Sequence, residues 1–431
     1  MIRGIKCGLI LAALVVTVGG CIDGSDGEGE SHADPSEDPQ TTYYEHIRPL
    51  LSESCTSCHR DGGLAPFSLT SYEQAQRWAG PMATAVAART MPPYFADDSG
   101  ACGSFRNSFW LSEAQIDVFT AWVDDDTPPG DPSIPAPPEP EVLALEGPLV
   151  TIDTGVDYLP NQSTTDDYRC FVIDSPGALS ATGFDVAPGN SRITHHLIAY
   201  QVTDEETAQA ARKLDTEAEG PGYPCFGTGP QVNATTIASW APGAGATIFP
   251  EGTGVEIDGD LPLIIEMHYN IAGGPGETDR TTIIFEKAES GSRTPIYEIG
   301  ALDYDFSGPP GMSSYSTTDE TPLQWSLYDF GLGDYEGNIL LHGANGHMHE
   351  RGLSIKLEVV GNTNQCLLDI PHWDFDWQLS YWFEEPIEVR ATDSIRITCT
   401  WNTEGLTEPL VWGDGTGDEM CLGGLYATLV D

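Results

Sequence analysis

The sequence predicts a multidomain chain, a small all-α domain followed by two all-β sandwich domains. Three observations predict this. Two capping-box patterns, Ser71-Tyr-Glu-Gln74 and Ser112-Glu-Ala-Gln115, open helical stretches in the N-terminal part. A proline-dense stretch, TPPGDPSIPAPPEPE at 127–141, sets that part off from the rest. Beyond it come many short β-rich runs parted by Gly, Pro, Asn and Asp, the texture of stacked sheets.

Residues 1–20 read as a lipoprotein signal peptide. Arg3 and Lys6 make a positive start, and GLILAALVVTV is apolar but too short to span a membrane. VGGC then reads as a bacterial lipobox, with Cys21 the lipidated first residue of the mature chain. A plain secretory signal cut near Gly20 is the alternative, and both readings place the chain outside the cytoplasm. Ile22 in place of Asp favours the outer membrane of a bacterial cell envelope over the inner one. Residues 21–40 are rich in Asp, Glu, Gly, Ser and Pro, a disordered acidic tether.

Residues 41–126 form the small helical domain. Ile116, Phe119 and Trp122 follow the second capping box at helical spacing and face one core. That core is thin for a free-standing domain, so a covalently held cofactor would supply the missing apolar centre. The linker at 127–141 is semi-rigid and extended; at about 3.1 Å per residue it reaches roughly 45 Å. That length would let the small domain dock and swing away. Runs such as SRITHHLIAYQV, PLIIEMHYNI, SIKLEVV and SIRITCTW populate two β-domains, 142–290 and 291–431, divided near ESGSRTP.

The 66 acidic and 18 basic residues give a net charge of −48. Phosphate binding needs a basic surface, so a nucleic-acid partner is excluded. The acidic surface would repel anionic substrates and attract a basic electron donor.

Cys55-Thr-Ser-Cys58-His59 is a C-x-x-C-H motif. Two thiols at this spacing can bond the two vinyl groups of haem c while the next residue, His59, reaches the iron. Zinc would want further thiol or imidazole ligands nearby, and only His46 is close in sequence. Met91 in RTMPPYF is the expected sixth ligand, because the prolines hold the backbone extended; Met82 lies within a predicted helix and reads as core. This stretch resembles the T-M-P-P segment of small bacterial c-type cytochromes, and with the C-x-x-C-H motif the expectation for 41–126 is a cytochrome c domain. A Met/His pair raises the haem potential.

The β-domains carry a second array: His195-His196, His268 in IIEMHYN, His347 and His349 in HGANGHMHERG, and Met420 in DEMC. Imidazole suits copper, and a thioether favours Cu(I). Side chains i and i+2 of a strand share a face, so His347 and His349 can grip one metal while Met348 points away. Adjacent His195 and His196 can do so only if their strand is kinked. His32, His46 and His372 read as ordinary residues, and His342 falls out of step with the His-x-His pair.

The array resembles the copper type II, ascorbate-dependent monooxygenases, that is dopamine β-hydroxylase and peptidylglycine hydroxylating monooxygenase. The match runs over roughly 145–431 and includes YRC at Tyr168–Cys170, SWAPGAGATIFPEG from Ser239 and CTWNTEG from Cys399. It implies two copper ions. His195, His196 and His268 would hold the electron-storing one; His347, His349 and Met420 would hold the catalytic one that meets dioxygen. It also implies a jelly-roll plan for both β-domains and a Cys399–Cys421 disulfide. Cys170 with Cys225 is a second expected bridge, suited to an oxidising compartment, while Cys102 and Cys366 stay open between bridging and remaining free. Peptidylglycine hydroxylases carry a carboxylate-binding Arg two before the His-x-His pair. Here Asn345 stands there, so a carboxylate-terminated peptide is a poor substrate. MCLGGLY adds glycines before Tyr426, which alters that wall of the site.

The expected function is therefore copper-dependent hydroxylation of an activated C–H bond of a small molecule, using dioxygen, with electrons supplied through the fused haem. The alternative is a non-catalytic haem/copper electron-transfer or copper-sensing lipoprotein.

Overall fold

Alternating burial dominates the chain. Ser394–Trp401 alternates half-buried and fully buried residues along its whole length, the period of a strand with one face on a core. The structure is a computed structural model. It describes residues 40–431 apart from 64, 94–95, 107, 139–142, 226–228, 243, 290–292, 329, 362–363, 414, 416 and 431. The signal peptide, Cys21 and nearly all of the acidic tether lie outside the described residues, as does the junction at 290–291.

Strands of three or more residues are numbered here. The first pair of sheets is built from β1 (Leu149–Asp153), β2 (Asp166–Ile173), β3 (Leu179–Ala187), β4 (Thr194–Val202), β5 (Ala234–Trp240), β6 (Thr253–Ile257), β7 (Leu263–Asn270) and β8 (Thr282–Lys287). One sheet runs β1-β8-β3-β6 and the other β2-β7-β4-β5, each extended by two-residue strands. Phe184 and Phe285 from the first sheet meet Leu197, Ile265 and Met267 from the second in one buried cluster.

The second pair uses β9 (Tyr297–Leu302), β10 (Tyr315–Pro322), β11 (Asn338–His347), β12 (Gly352–Val360), β13 (Gln365–Ile370), β14 (Ser380–Arg390), β15 (Ser394–Trp401) and β16 (Leu422–Val430). Its sheets run β9-β16-β11-β14 and β10-β15-β12-β13. Ile339, Leu341 and Leu425 of one meet Leu357, Ile397 and Trp401 of the other.

Helices are few. They are α1 (Arg48–Ser54), α2 (Tyr72–Ala87), α3 (Glu113–Asp124), α4 (Glu205–Glu217) and α5 (Leu323–Tyr328), with a short π-helical turn at Tyr43–Ile47. Both capping boxes form: Ser71 and Gln74 satisfy each other's backbone N–H at the start of α2, and Ser112 and Gln115 do so for α3. Ile116, Phe119 and Trp122 face one buried cluster with Tyr43, Ile47 and Leu51.

The expectation of a separate all-α cytochrome c domain ahead of two sandwiches is overturned. The molecule is mostly β-sheet with a few helices, and residues 41–431 cluster as one compact unit. The physical reason lies between α2 and α3. Ala96 and Phe105 leave the helices and enter the core of the second sheet pair. Phe105 bridges to Phe383 as an isolated antiparallel pair, and Asp97 N donates to Asp369 O at 2.7 Å. A Cys102–Cys366 disulfide then ties this strap to β13, with Cα atoms 4.9 Å apart. Nor does the Pro-rich stretch hang free over its described part. Arg48 donates to Ile134 O and Pro135 O, both at 2.8 Å, and Trp122 Nε1 donates to Pro128 O at 3.0 Å. Capping boxes mark where helices start; they do not mark an independent folding unit.

Candidate metal centres

β4 and β7 lie side by side, with His196 opposite His268. The register of β4 shifts between Thr194 and His196. Such a bulge bends the strand and re-aims a side chain, which lets adjacent residues turn to one point. The ligand atoms of His195, His196 and His268 lie within 4.8 Å of one another. His268 Nε2 bonds Asp166 Oδ1 at 3.0 Å, and the Tyr168 ring stacks on His268 at 4.1 Å and 8°. A carboxylate behind an imidazole fixes its tautomer and plane, as in many metal sites. Nδ1 of His268 and Nδ1 of His195 are buried, with no hydrogen-bond partner among the described residues. Burial also holds these imidazoles neutral: His195 falls to about 4, and His196 and His268 fall well below the ordinary range. The His268–Asp166 contact is accordingly a hydrogen bond rather than an ion pair. Neutral rings with bare, buried nitrogens fit a metal ion.

Cys170, Cys225 and Glu266 also come within 4.8 Å of one another. Both thiols are consumed in a Cys170–Cys225 disulfide, and Glu266 accepts from Tyr200 OH at 3.2 Å, so this group is structural.

His347 ends β11, and His349 follows just beyond it, with ring centroids 5.2 Å apart. Met348 between them is fully buried in the opposite direction, within the sheet core. β11 pairs with β16 so that His347 faces Leu422, two residues after Met420. His347 Nδ1 bonds Gln378 Oε1 at 2.6 Å, and His349 Nδ1 bonds Asp418 O at 3.1 Å. Both contacts are to acceptors, so each Nδ1 carries the proton and each Nε2 is left bare for a ligand. Burial pushes His347 down to about 3. His342 stands apart from the pair, bonding Thr428 Oγ1 at 2.9 Å.

Cys399 and Cys421 form a disulfide beside Met420, with Cα atoms 6.0 Å apart. Double Ser substitution is expected to destabilise the fold by about 2–5 kcal/mol, read from the denaturant midpoint. Free thiols at both positions in mature protein, seen by mass spectrometry, would rule the bridge out in solution.

The two ligand sets face each other. The His196 and His347 rings are 5.8 Å apart, and Phe375 stacks on His195 at 4.4 Å. A cleft of about 2610 Å³ is lined by His196, His347, Trp240, Trp382, Glu298 and Asn345. Asn345 Nδ2 donates to Glu298 Oε1 at 3.0 Å, Ser239 Oγ donates to Glu298 Oε2 at 2.9 Å, and Gly424 N donates to Asn345 Oδ1 at 2.9 Å. Burial raises the Glu298 pKa, and the two side-chain donors oppose that rise. The paired glycines of MCLGGLY have a packing reason. A Cβ on Gly424 would come within 2.5 Å of Asn345 Oδ1, and one on Gly423 within 2.5 Å of the Leu357 side chain. Tyr426 is buried, stacked on Trp382 at 4.5 Å and bonded to Ser380.

Cys55 and Cys58 are free thiols at the end of α1, and Cys58 lines the same cleft. Burial, reinforced by Cys58, pushes the Cys55 thiol up to about 12. His59 Nδ1 bonds Phe67 O at 3.2 Å, which leaves Nε2 bare. Its ring packs on Phe67, which stacks on Trp78 at 4.2 Å. Met82 packs against the helical core, while Met91 is 39% exposed on the turn after α2.

Sequence reasoning passed over Asp166, Gln378, Glu298, Phe375 and Glu419. In DEMC, Glu419 directly precedes Met420. Its carboxylate accepts from His349 N at 2.9 Å, Arg351 N at 2.6 Å and Trp401 Nε1 at 2.9 Å.

Residues 334–426 match the family model described as copper type II ascorbate-dependent monooxygenase, C-terminal domain. That span contains His347, His349 and Met420. The chain is also similar to tyramine beta-hydroxylase of Caenorhabditis briggsae, 23% identical over 63% of this chain and 46% of that one. Dopamine beta-hydroxylase of Rattus norvegicus is 23% identical over 66% of this chain and 47% of its own length, and that of Bos taurus 25% over 68% and 48%. The chain thus spans about half the length of the curated relatives it matches. These similarities support the copper monooxygenase family.

Proposed function

We propose that this chain is a copper-dependent monooxygenase that hydroxylates an activated C–H bond of a small molecule bound in the cleft between its two metal centres. The observation that carries this reading is the approach of the two candidate sets, with the His196 and His347 rings 5.8 Å apart and both lining one cleft. Copper at the His347/His349/Met420 set would supply dioxygen activation, and copper at the three-His set would supply the second electron. In the balanced reaction one oxygen atom enters the C–H bond and the other leaves as water, with two electrons and two protons taken up.

The residues have separable tasks. Asp166 fixes the His268 ring, and Gln378 holds the His347 tautomer that keeps Nε2 bare. Trp240 and Trp382 give the cleft apolar walls. Glu298 is a buried carboxylate that already has one side-chain donor on each oxygen. A cation beside it would offset its charge, which supports an amine-bearing substrate such as those named for the tyramine and dopamine hydroxylases. The acidic surface and Asn345 both disfavour an anionic one.

Haem c would supply the electrons in this reading, and Cys55, Cys58, His59 and Met91 would hold it. The free thiols, the oriented imidazole and the opening of Cys58 onto the copper-side cleft support it. An external donor would reduce the haem. A lipid anchor at Cys21, in the outer membrane of a bacterial cell envelope with the chain on its periplasmic or surface side, would complete the arrangement.

Protein matured in a periplasm is expected to hold two copper ions and one covalent haem per chain. It is also expected to consume dioxygen in step with hydroxylated product when offered a panel of arylalkylamines. Zinc at both sites after copper-replete expression sinks the copper reading, and a missing covalent haem band sinks the haem reading. Full copper loading with no oxygen uptake on any reductant would favour the non-catalytic electron-transfer or copper-sensing alternative.

A further inference from the structure

β9 has one face in a core and one on the cleft. Ile299 and Ala301 are buried within the second sheet pair. Glu298, Gly300 and Leu302 therefore face the other way, and all three line the cleft. The pairing of β9, β16 and β11 carries these positions across the sheet in rows. Leu302 stands beside Leu422 and then His347, and Gly300 beside Gly424 and then Asn345. Glu298 stands beside Tyr426. The middle row thus has no side chain on two neighbouring strands. Glu298 and Leu302 bound it on β9, roughly 13 Å apart at about 3.3 Å per residue.

Gly424 has a packing reason, because the Asn345 side chain lies across it. Gly300 has none. Among the described residues a Cβ there would meet one atom within 4 Å, Gly423 O at 3.9 Å, and its φ lies outside the left-handed region. A glycine inside a strand weakens it, and marks a bulge, a tight bend, a close backbone or a close ligand. The register of β9 on β16 runs unbroken from Tyr297 to Leu302, which removes the bulge and the bend. The open space above Gly300 removes the close backbone. A close ligand remains.

Beyond Leu302 the cleft is walled by exposed rings. α5 buries Leu323 and Leu327 and leaves Trp325 72% exposed. Trp325 lines the cleft, as do Tyr304 and Trp412, whose rings pack 4.5 Å apart. Ser326 Oγ donates to Gly300 O, which seats α5 against the bare row. Exposed apolar surface at the rim of a cleft marks a contact surface, and an indole face suits stacking.

We propose that the bare row over Gly300, with its rim at Trp325 and Tyr304, is a substrate subsite for a flat, extended aromatic group. The preferred substrate is then an aryl amine longer than one ring, and Gly300 is its specificity-determining residue. This rests on the reading that substrate is bound in this cleft. A single ring would cover the floor at Gly300 and leave the rim bare, whereas a second ring would reach it.

The test is calorimetric titration of the full-length matured protein with two probes, phenethylamine and its para-phenyl derivative, a readout independent of turnover. Wild type is expected to bind the para-phenyl probe at least about 10-fold more tightly, from the added apolar burial and stacking. Gly300→Val is expected to fold, because a β-branched side chain suits a strand and meets open space here. It should lose that preference, since one misplaced methylene in a pocket costs about 10-fold or more. Trp325→Ala, at an exposed site, should reduce the preference by roughly 2–10-fold, which decides the matter if the Val variant fails to fold. Equal affinity of wild type for both probes overturns the proposal. So does binding of neither probe, or a wild-type preference in the variants. The expected preferences without dioxygen uptake on any reductant would uphold the subsite and overturn the functional reading instead, so the two failures are distinguishable.

Discussion

Met420→Ala is expected to lower hydroxylation by at least about 100-fold while Cu(II) binding at the three-His set is unchanged. Substitutions behind a metal ligand cost about 10–100-fold in affinity or activity, and loss of a ligand belongs at or beyond the upper end of that range. Met420 is 1% exposed and sits between two fully buried neighbours, Glu419 and Cys421. The flanking disulfide and the Glu419 hydrogen bonds hold the backbone in place, so Ala would remove the thioether without releasing the segment. A soft sulfur favours Cu(I) over Cu(II). The loss should therefore appear chiefly as weaker Cu(I) binding, measured by competition with a chromophoric Cu(I) chelator. The spectrum of a bound haem should not change. A variant with wild-type turnover would show that Met420 is core packing.

The candidate ligands stand out in the sequence because each sits in a short, distinctive context: HH, MHYN, HMH and EMC. The kink that adjacent His195 and His196 require could be inferred from the two-residue period of a strand, and the register shift in β4 supplies it. The meeting of the two sets was not legible. No local pattern states that His196 and His347 stand 5.8 Å apart, because packing between two sheet pairs sets that distance. Asp166 and Glu419 were invisible for a different reason: among 66 acidic residues, nothing local marks those that end up buried behind a ligand. The separate helical domain failed as an expectation because residues 88–112 carry no periodicity of their own. Ala96, Cys102 and Phe105 take their structure from β13, β14 and the core beneath them. The Cys102–Cys366 tie likewise restricts the wide swing that the linker's length alone would allow.

Glu419→Ala is expected to destabilise the protein by about 3 kcal/mol or more and to loosen the catalytic ligand set at the same time. Each buried donor left without a partner costs about 1–3 kcal/mol. The carboxylate serves two such donors, the backbone N–H of His349 and the indole of Trp401, and a part-buried third, the backbone N–H of Arg351. Burial pushes the Glu419 carboxyl up to about 7, and these donors pull it back down. Removing the side chain relieves that desolvation, which offsets part of the loss, so the lower end of the summed range is the expectation. Two of the donors belong to the stretch that carries His349, and Glu419 adjoins Met420. The carboxylate therefore holds the stretch that carries His349 against the stretch that carries Met420. The denaturant midpoint of the metal-free protein should fall with an unchanged slope, and Cu(I) affinity should drop by about 10–100-fold. Glu419→Gln keeps the shape and one acceptor oxygen but turns an N–H₂ group toward a donor, so it should fall between wild type and Ala on both measures. A metal-free Ala variant with the wild-type midpoint would show that solvent satisfies the three donors and that the carboxylate is not what joins the two strands.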